Sequence, residues 1–198
     1  MRKIGRQCVQ TTGRGHVRII AGTLRGSKLP VAERDGLRPT ADRTRETLFN
    51  WLAMKLAGRK VLDGFAGSGV LGFEAASRGA SEVVLLERDA ITAASLRASQ
   101  ERLKVAGMRI IQVDALTWLS ANADQQFDGV FLDPPFADAP WPKLWPLLLP
   151  MLSDGAWVFI ETGIDSELEL PPGLLSEKFG KSRHSKYLLA QWHKPVIG

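Results

Sequence analysis

Beyond residue 60 the chain alternates between short apolar runs and longer segments of helical spacing, with glycine-containing turns between them. Lys60 to Asp63, Val83 to Glu87, Met108 to Val113, Asp128 to Asp133 and Ala156 to Glu161 read as five strands. Gly69 to Ser77, Ala90 to Ala106 and Leu116 to Ala121 read as the helices between them. This alternation predicts an α/β domain with a parallel, doubly wound sheet and right-handed crossovers. Leu174 to Lys181 and Ser185 to His193 break the pattern, since only a basic turn separates them. They predict an antiparallel hairpin that closes one edge and brings the sheet to seven strands.

The first 60 residues are organised differently. Residues 1–15 are polar and glycine-containing without periodicity, and are expected to form a flexible basic tail. His16 to Ala21 and Ser27 to Val31 predict a small β-hairpin carrying Arg18, Arg25 and Lys28, an extension spanning residues 16–37. A helix should follow Pro39, capped by Thr40, with Leu48, Phe49, Leu52 and Leu56 on its buried face and Gly58 at its end. Residues 38–198 then form the main domain.

Charge sharpens this division. Residues 1–60 hold 14 Lys and Arg against 4 Asp and Glu, whereas residues 61–198 hold 12 against 17. A basic front on an acidic body suits a polyanion such as nucleic acid, although a merely solvated basic face has the same composition. The single cysteine, Cys8, forbids an internal disulfide and agrees with a reducing, cytoplasmic setting. The basic start is not followed by an apolar run, so no signal peptide is expected. The apolar stretch Trp141 to Leu152 holds three prolines and Lys143 and is too short to span a bilayer, so no membrane association is expected. The histidines lack ligand-like spacing, so no metal is expected.

Two segments carry the chemistry. Gly67, Gly69 and Gly72 follow the first sheet strand at G-x-G-x-x-G spacing, and Glu87 ends the next strand 20 residues after Gly67, placed to accept from ribose hydroxyls. The glycines alone admit a dinucleotide. Asp63, however, sits four residues before Gly67, and a pyrophosphate there would face an anion, unfavourable by roughly 1–4 kcal/mol. A ligand with an ammonium and a sulfonium, such as S-adenosylmethionine, would be attracted instead. Asp114, at the end of the third strand, is placed to accept from the adenine amine, with the Ala115 N–H donating to a ring nitrogen; both Asp63 and Asp114 also suit helix capping.

The second segment is Asp133-Pro134-Pro135-Phe136, delivered by the strand before it. The prolines donate no N–H, which leaves carbonyls to accept from a ligand, and the Phe136 ring can stack on a flat one. Asp133 and a backbone carbonyl can take both protons of a nucleobase amine. All these groups fall at the C-terminal tips of successive strands, where open α/β sheets bind ligands.

Taken together, the residues resemble a class I S-adenosylmethionine-dependent methyltransferase, and more narrowly the RsmD family of bacterial guanine-N2 methyltransferases of 16S ribosomal RNA. The similarity runs through Arg18-Ile19-Ile20-Ala21-Gly22, Arg25-Gly26, the segment Arg38 to Asn50, Asp63 to Gly72 and Asp133 to Phe136, covering roughly residues 17–193. It implies a Rossmann-like sheet and S-adenosylmethionine as cofactor. The cofactor set is then Asp63, Phe65, Gly67, Ser68, Gly69, Glu87, Arg88, Asp114 and Ala115, and the catalytic set Asp133, Pro134, Pro135 and Phe136. It also implies RNA or rim contacts by Arg18, Arg25, Lys28, Arg38 and Arg43, with Arg45 and Glu46 open between that role and a structural ion pair. The partner implied is 16S RNA or the 30S particle, and compactness suits a monomer. Adenine-N6 or cytosine-N4 methylation of DNA keeps the same chemistry on another substrate. A nicotinamide oxidoreductase leaves Asp63 and the Asp133 to Phe136 motif unexplained. A non-catalytic RNA-binding module would not need the acidic cofactor residues.

Overall fold

The computed structural model describes residues 15–31, 39–135 and 140–195. A two-stranded hairpin, β1 (Gly15–Arg18) and β2 (Lys28–Val31), precedes helix α1 (Pro39–Trp51). The main domain follows as β3 (Lys60–Asp63), α2 (Val70–Ser77), β4 (Glu82–Glu87), α3 (Ala90–Leu103), β5 (Met108–Gln112), α4 (Ala115–Ala121), β6 (Phe127–Leu132) and α5 (Trp141–Leu148). A short 3-10 turn then leads into β7 (Leu152–Gly163), β8 (Leu174–Lys181) and β9 (Ser185–Trp192). The seven main strands order as β5-β4-β3-β6-β7-β9-β8, parallel except for β9, which is antiparallel to both neighbours. This is the sheet the patterning predicts.

Alternation along the strands builds two cores. Leu62, Val84, Leu86, Val130, Leu132, Val158 and Ile160 pack with α4 and α5 on one face. Val61, Val83, Leu85, Phe131, Trp157 and Phe159 pack on the other with the N-terminal hairpin, α1 and α2. Asp63 and Glu87 continue the second series, two residues beyond Val61 and Leu85, so they project on that face. By the same count Asp133 follows Phe131, and Glu161 follows Phe159.

The hairpin is fastened to α2 through a buried carboxylate. Glu74 accepts from the Ile20 N–H at 2.7 Å, the Ala21 N–H at 3.0 Å and Arg78 Nε at 2.8 Å. Gly22 then passes so close to Ser77 that a Cβ would overlap its carbonyl oxygen, and its φ of +83° independently favours glycine. Thr23 and Leu24 N–H groups donate to the Ser77 carbonyl and hydroxyl.

Three elements depart from the sequence expectation. Helix α1 stops at Trp51 rather than near Gly58, and the chain beyond it continues through tighter turns in which the Ala53 N–H donates to the Asn50 carbonyl and the Lys55 N–H to the Leu52 carbonyl. Leu52 and Leu56 remain buried all the same. Helix α3 ends at Leu103, where Lys104 turns left-handed at φ 52°. Helix α5 has no counterpart in the expectation, since its prolines argue against a helix. Pro142 sits in the first turn, where no N–H is needed, and only Pro146 removes an internal bond. Trp141, Leu144, Trp145 and Leu148 supply the buried face that compensates.

Candidate active site

The order of the sheet reverses between β3 and β6: successive strands run outward from β3 through β4 to β5, and from β6 through β7. Ligands of open α/β sheets bind at the carboxyl ends of the strands at such a switch point. Asp63 ends β3, and Asp133 follows the last residue of β6. The crevice therefore opens between the two carboxylates that the sequence singles out.

On the β3 side the chain leaves its strand through a turn shaped by three glycines, each for its own reason. Gly67 has φ +49° and is exposed, with nothing within 4 Å of where a Cβ would stand. A ligand can therefore lie directly on its backbone. Gly69 adopts φ 73° as the residue that opens α2. Gly72 lies against Leu85, where a Cβ would come within 2.8 Å of a methyl carbon.

Asp63 is buried and accepts from the Gly72 N–H at 3.1 Å and also from the Phe65 N–H. Burial pushes its carboxyl up to about 7, against those two hydrogen bonds, and the Glu87 charge adds to the rise. Phe65 and Ser68 line the same turn, both partly exposed. Glu87 accepts from the Gly67 N–H at 2.9 Å through one oxygen and from the Asp89 N–H at 2.7 Å through the other. Each oxygen retains a lone pair for a ribose hydroxyl. Arg88 is exposed next to it.

Asp114 caps α4: its Oδ1 accepts from the Thr117 N–H at 3.0 Å and from the Thr117 hydroxyl. The capping role weighed from the sequence is therefore real, and its exposed carboxylate still stands at the β5 end of the crevice. Ala115 is the first residue of that helix, so its N–H has no intrahelical acceptor.

On the β6 side, Pro134 is buried while Asp133 and Pro135 reach solvent. Asp133 sits low enough among its neighbours that burial, followed by the Glu161 and Asp63 charges, pushes its carboxyl well above the usual carboxylate range. Phe136 lies outside the described residues.

Glu161 is a site residue that sequence reading passed over. Leu132 pairs with Ile160 across β6 and β7, so Asp133 and Glu161 occupy neighbouring strand tips. Glu161 accepts a hydrogen bond from the Ser185 side chain, and burial raises its carboxyl as well. The available signal was a carboxylate ending an apolar strand, as Glu87 does, but no motif surrounds it. Acidic groups thus line the tips of β4, β3, β6 and β7 in spatial order. The open Gly67 backbone and this anionic rim fit a cationic adenosyl ligand.

The basic residues lie on two elements, α1 and the N-terminal hairpin. Arg43, on the second turn of α1, is exposed, and Arg45 is buried while Glu46 is exposed. Arg18 and Lys28 face each other across the N-terminal hairpin, and Arg25 lies on its turn. That turn is tied to Ser77, the last residue of α2. Since α2 starts at the glycine turn, these three side chains lie at its far end, about 12 Å along the helix. Arg38 is outside the described residues.

A family model described as Conserved hypothetical protein 95 matches residues 17–188. The chain is 44% identical over 182 residues to ribosomal RNA small subunit methyltransferase D of Haemophilus influenzae, covering 86% of this chain and 92% of that protein. It is 39% identical over 180 residues to the Escherichia coli K12 protein of the same name, covering 91% and 88%. The solved structure of yhhF from Escherichia coli superposes with a TM-score of 0.82 at 37% identity, over 91% of this chain and 100% of that one.

Proposed function

This chain belongs to the RsmD family, the one described by the Conserved hypothetical protein 95 model, and from that membership and the site we propose that it methylates the exocyclic N2 amine of a guanine in small-subunit ribosomal RNA, using S-adenosylmethionine. The observation that carries the reading is the placement of Asp63 and Asp133 on either side of the sheet's switch point, with the open Gly67 backbone on one side and the Pro134-Pro135 pair on the other. Relatives named as small-subunit ribosomal RNA methyltransferases support the substrate class.

When bound, S-adenosylmethionine supplies a methyl group activated by its sulfonium. Gly67, Ser68 and Gly69 would hold it along the turn, Glu87 at the ribose, and Asp114 with the Ala115 N–H at the adenine. Asp63 and Asp133 provide the negative field, and a cation arriving beside them favours their charged forms.

The guanine N2 lone pair is delocalised into the ring and is a weak nucleophile. Asp133 accepts one N2 hydrogen and the Pro134 carbonyl accepts the other, which holds the amine in place and favours its pyramidal form. Phe136 stacks on the base. Nitrogen must lie about 3–3.5 Å from the methyl carbon and in line with it, so positioning supplies much of the rate. As nitrogen takes the methyl group, the methyl–sulfur bond breaks and the neutral thioether would leave with its electron pair; nitrogen gains positive charge, and its proton leaves to the Asp133 carboxylate or to water. A surrounding that raises the proton affinity of Asp133 suits this step. A base inside structured RNA must leave its stack to reach the crevice, so the target is extruded, in naked RNA or in a 30S particle.

Tritiated methyl transfer tests the reading. Label should enter small-subunit RNA or particles as N2-methylguanosine, and Asp133→Ala should reduce the rate by roughly 10²–10⁴ with cofactor affinity held within a few fold. Label in duplex DNA adenine or cytosine would establish the rival substrate instead.

A further inference from the structure

The sheet edge that carries the crevice also carries a basic turn that none of the expected RNA contacts includes. Strands β8 and β9 are joined by a turn at residues 182–184, and the pairing of Gly163 with Ser185 places that turn at the same sheet edge as Glu161. Lys181, Arg183 and His184 are exposed on it, and Lys186 is half-buried. The turn is tightly built. The Ser182 N–H donates to the Ser185 carbonyl at 2.8 Å, and the Ser182 hydroxyl accepts from the Ser185 N–H at 3.0 Å. The Ile164 N–H of the adjacent chain end donates to the His184 carbonyl at 3.0 Å. Ser185 also bonds Glu161, which stands beside Asp133. The basic turn is therefore fixed two strands from Asp133, roughly 10 Å by strand spacing.

Its charges are arranged at a cost. Lys181 and Lys186 are direct cross-strand partners, and like charges so placed repel. Among the described residues, Lys181, Arg183 and Lys186 make no ion pair with a carboxylate, whereas Lys55, Arg59, Lys60, Arg78 and Arg109 all do. Phe179, on β8 next to them, is 62% exposed. Register puts Lys181, Lys186 and Phe179 on the Val158 and Ile160 face of the sheet, opposite Glu161, so the uncompensated pair borders the strand tips from the other face, where it calls for an anion with a flat apolar neighbour.

We propose that the β8–β9 turn, through Lys181, Arg183 and Lys186, holds the RNA phosphates flanking the extruded guanine, with Phe179 beside them as a stacking surface. This rests on the RNA-methyltransferase reading. The N-terminal hairpin carries its own like-charged pair, Arg18 opposite Lys28, but at the far end of α2, where it serves RNA remote from the target nucleotide.

Salt dependence tests the assignment. Binding of an unmodified 16S RNA transcript, and methylation of small-subunit particles assembled on it, are measured for the intact protein and for the triple variant Lys181→Ala, Arg183→Ala, Lys186→Ala. Each lost phosphate contact should lower the slope of log affinity against log salt by about 0.7–0.9, roughly 2–3 in all for the three. The KM for RNA should rise at least tenfold with kcat at saturation little changed. Calorimetric binding of S-adenosylmethionine should be unaltered, which also reports that the variant is folded. A second variant, Phe179→Ser, should raise KM without changing the slope. A wild-type slope and KM in the triple variant would overturn the proposal while leaving the activity standing. Failure of the intact protein to bind or methylate either RNA form would remove both.

Discussion

Asp133 and Glu161 stand at equivalent positions at the tips of neighbouring parallel strands, one residue beyond the Leu132–Ile160 pair, and the Glu161 charge strengthens the hold of Asp133 on a proton. Burial is the larger cause for both, and the proximity of two like charges adds to it for Asp133. The pair titrates together rather than as two independent acids.

Removing one charge should therefore change the pH at which the other works. Glu161→Gln keeps the shape and an oxygen toward Ser185 but deletes the negative charge facing Asp133. The Asp133 pKa should fall, and the acidic limb of the kcat/KM profile should move to lower pH. Rate profiles of both proteins across pH 5 to 9 check this, and an unmoved limb would separate Glu161 from the catalytic carboxylate.

Asp63 makes a thermodynamic prediction whose sign follows from its direction of shift. Folded Asp63 keeps its proton up to about pH 7, whereas in the unfolded chain it loses it near 4. The folded chain binds more protons at Asp63 between those values, so the contribution of Asp63 to stability is most favourable below about pH 4 and declines as pH rises towards 7. Asp63→Asn removes that group's share of the decline, at most about 4 kcal/mol for a shift of about three units. Urea unfolding at pH 5 and pH 8 should show the variant gaining on the wild type at the higher pH, while its affinity for S-adenosylmethionine drops. An equal stability difference at both values would contradict the buried-charge account.

The sheet was legible in the sequence because its strands are short, apolar and punctuated by glycine, and because the tips of β3, β4 and β6 end in carboxylates. The alternation that puts Asp63 on the Val61 and Val83 face needed nothing beyond periodicity. Other features depend on contacts distant in sequence. The turns that follow helix α1 are held by Trp157, 102 residues away, whose indole N–H donates to the Lys55 carbonyl. Helix α5 was hidden by prolines whose cost is offset by tryptophan burial against the sheet. Glu161 enters the site only through the pairing of β6 with β7 and of β7 with β9, neither of which a motif encodes. The basic turn at residues 182–184 was visible as composition, but its place at the crevice came from strand order alone.

Glu74 offers a test of how the N-terminal hairpin is held. Its carboxylate satisfies two hairpin N–H groups and the Arg78 guanidinium while fully buried. Glu74→Ala leaves an unpaired cation and two orphaned donors, which should cost about 3–5 kcal/mol. Proteolysis should cut within residues 15–31 faster than in the wild type. Undiminished stability and protection would mean that the hydrophobic contacts of Val17, Ile19 and Leu29 suffice.

The most direct test of the central claim is mass spectrometry of nucleosides from small-subunit ribosomal RNA of cells lacking this protein, complemented with the wild type or with Asp133→Asn. The account predicts loss of one N2-methylguanosine per RNA molecule, restored by the wild type and not by the variant. An unchanged N2-methylguanosine content, or full restoration by Asp133→Asn, would contradict it.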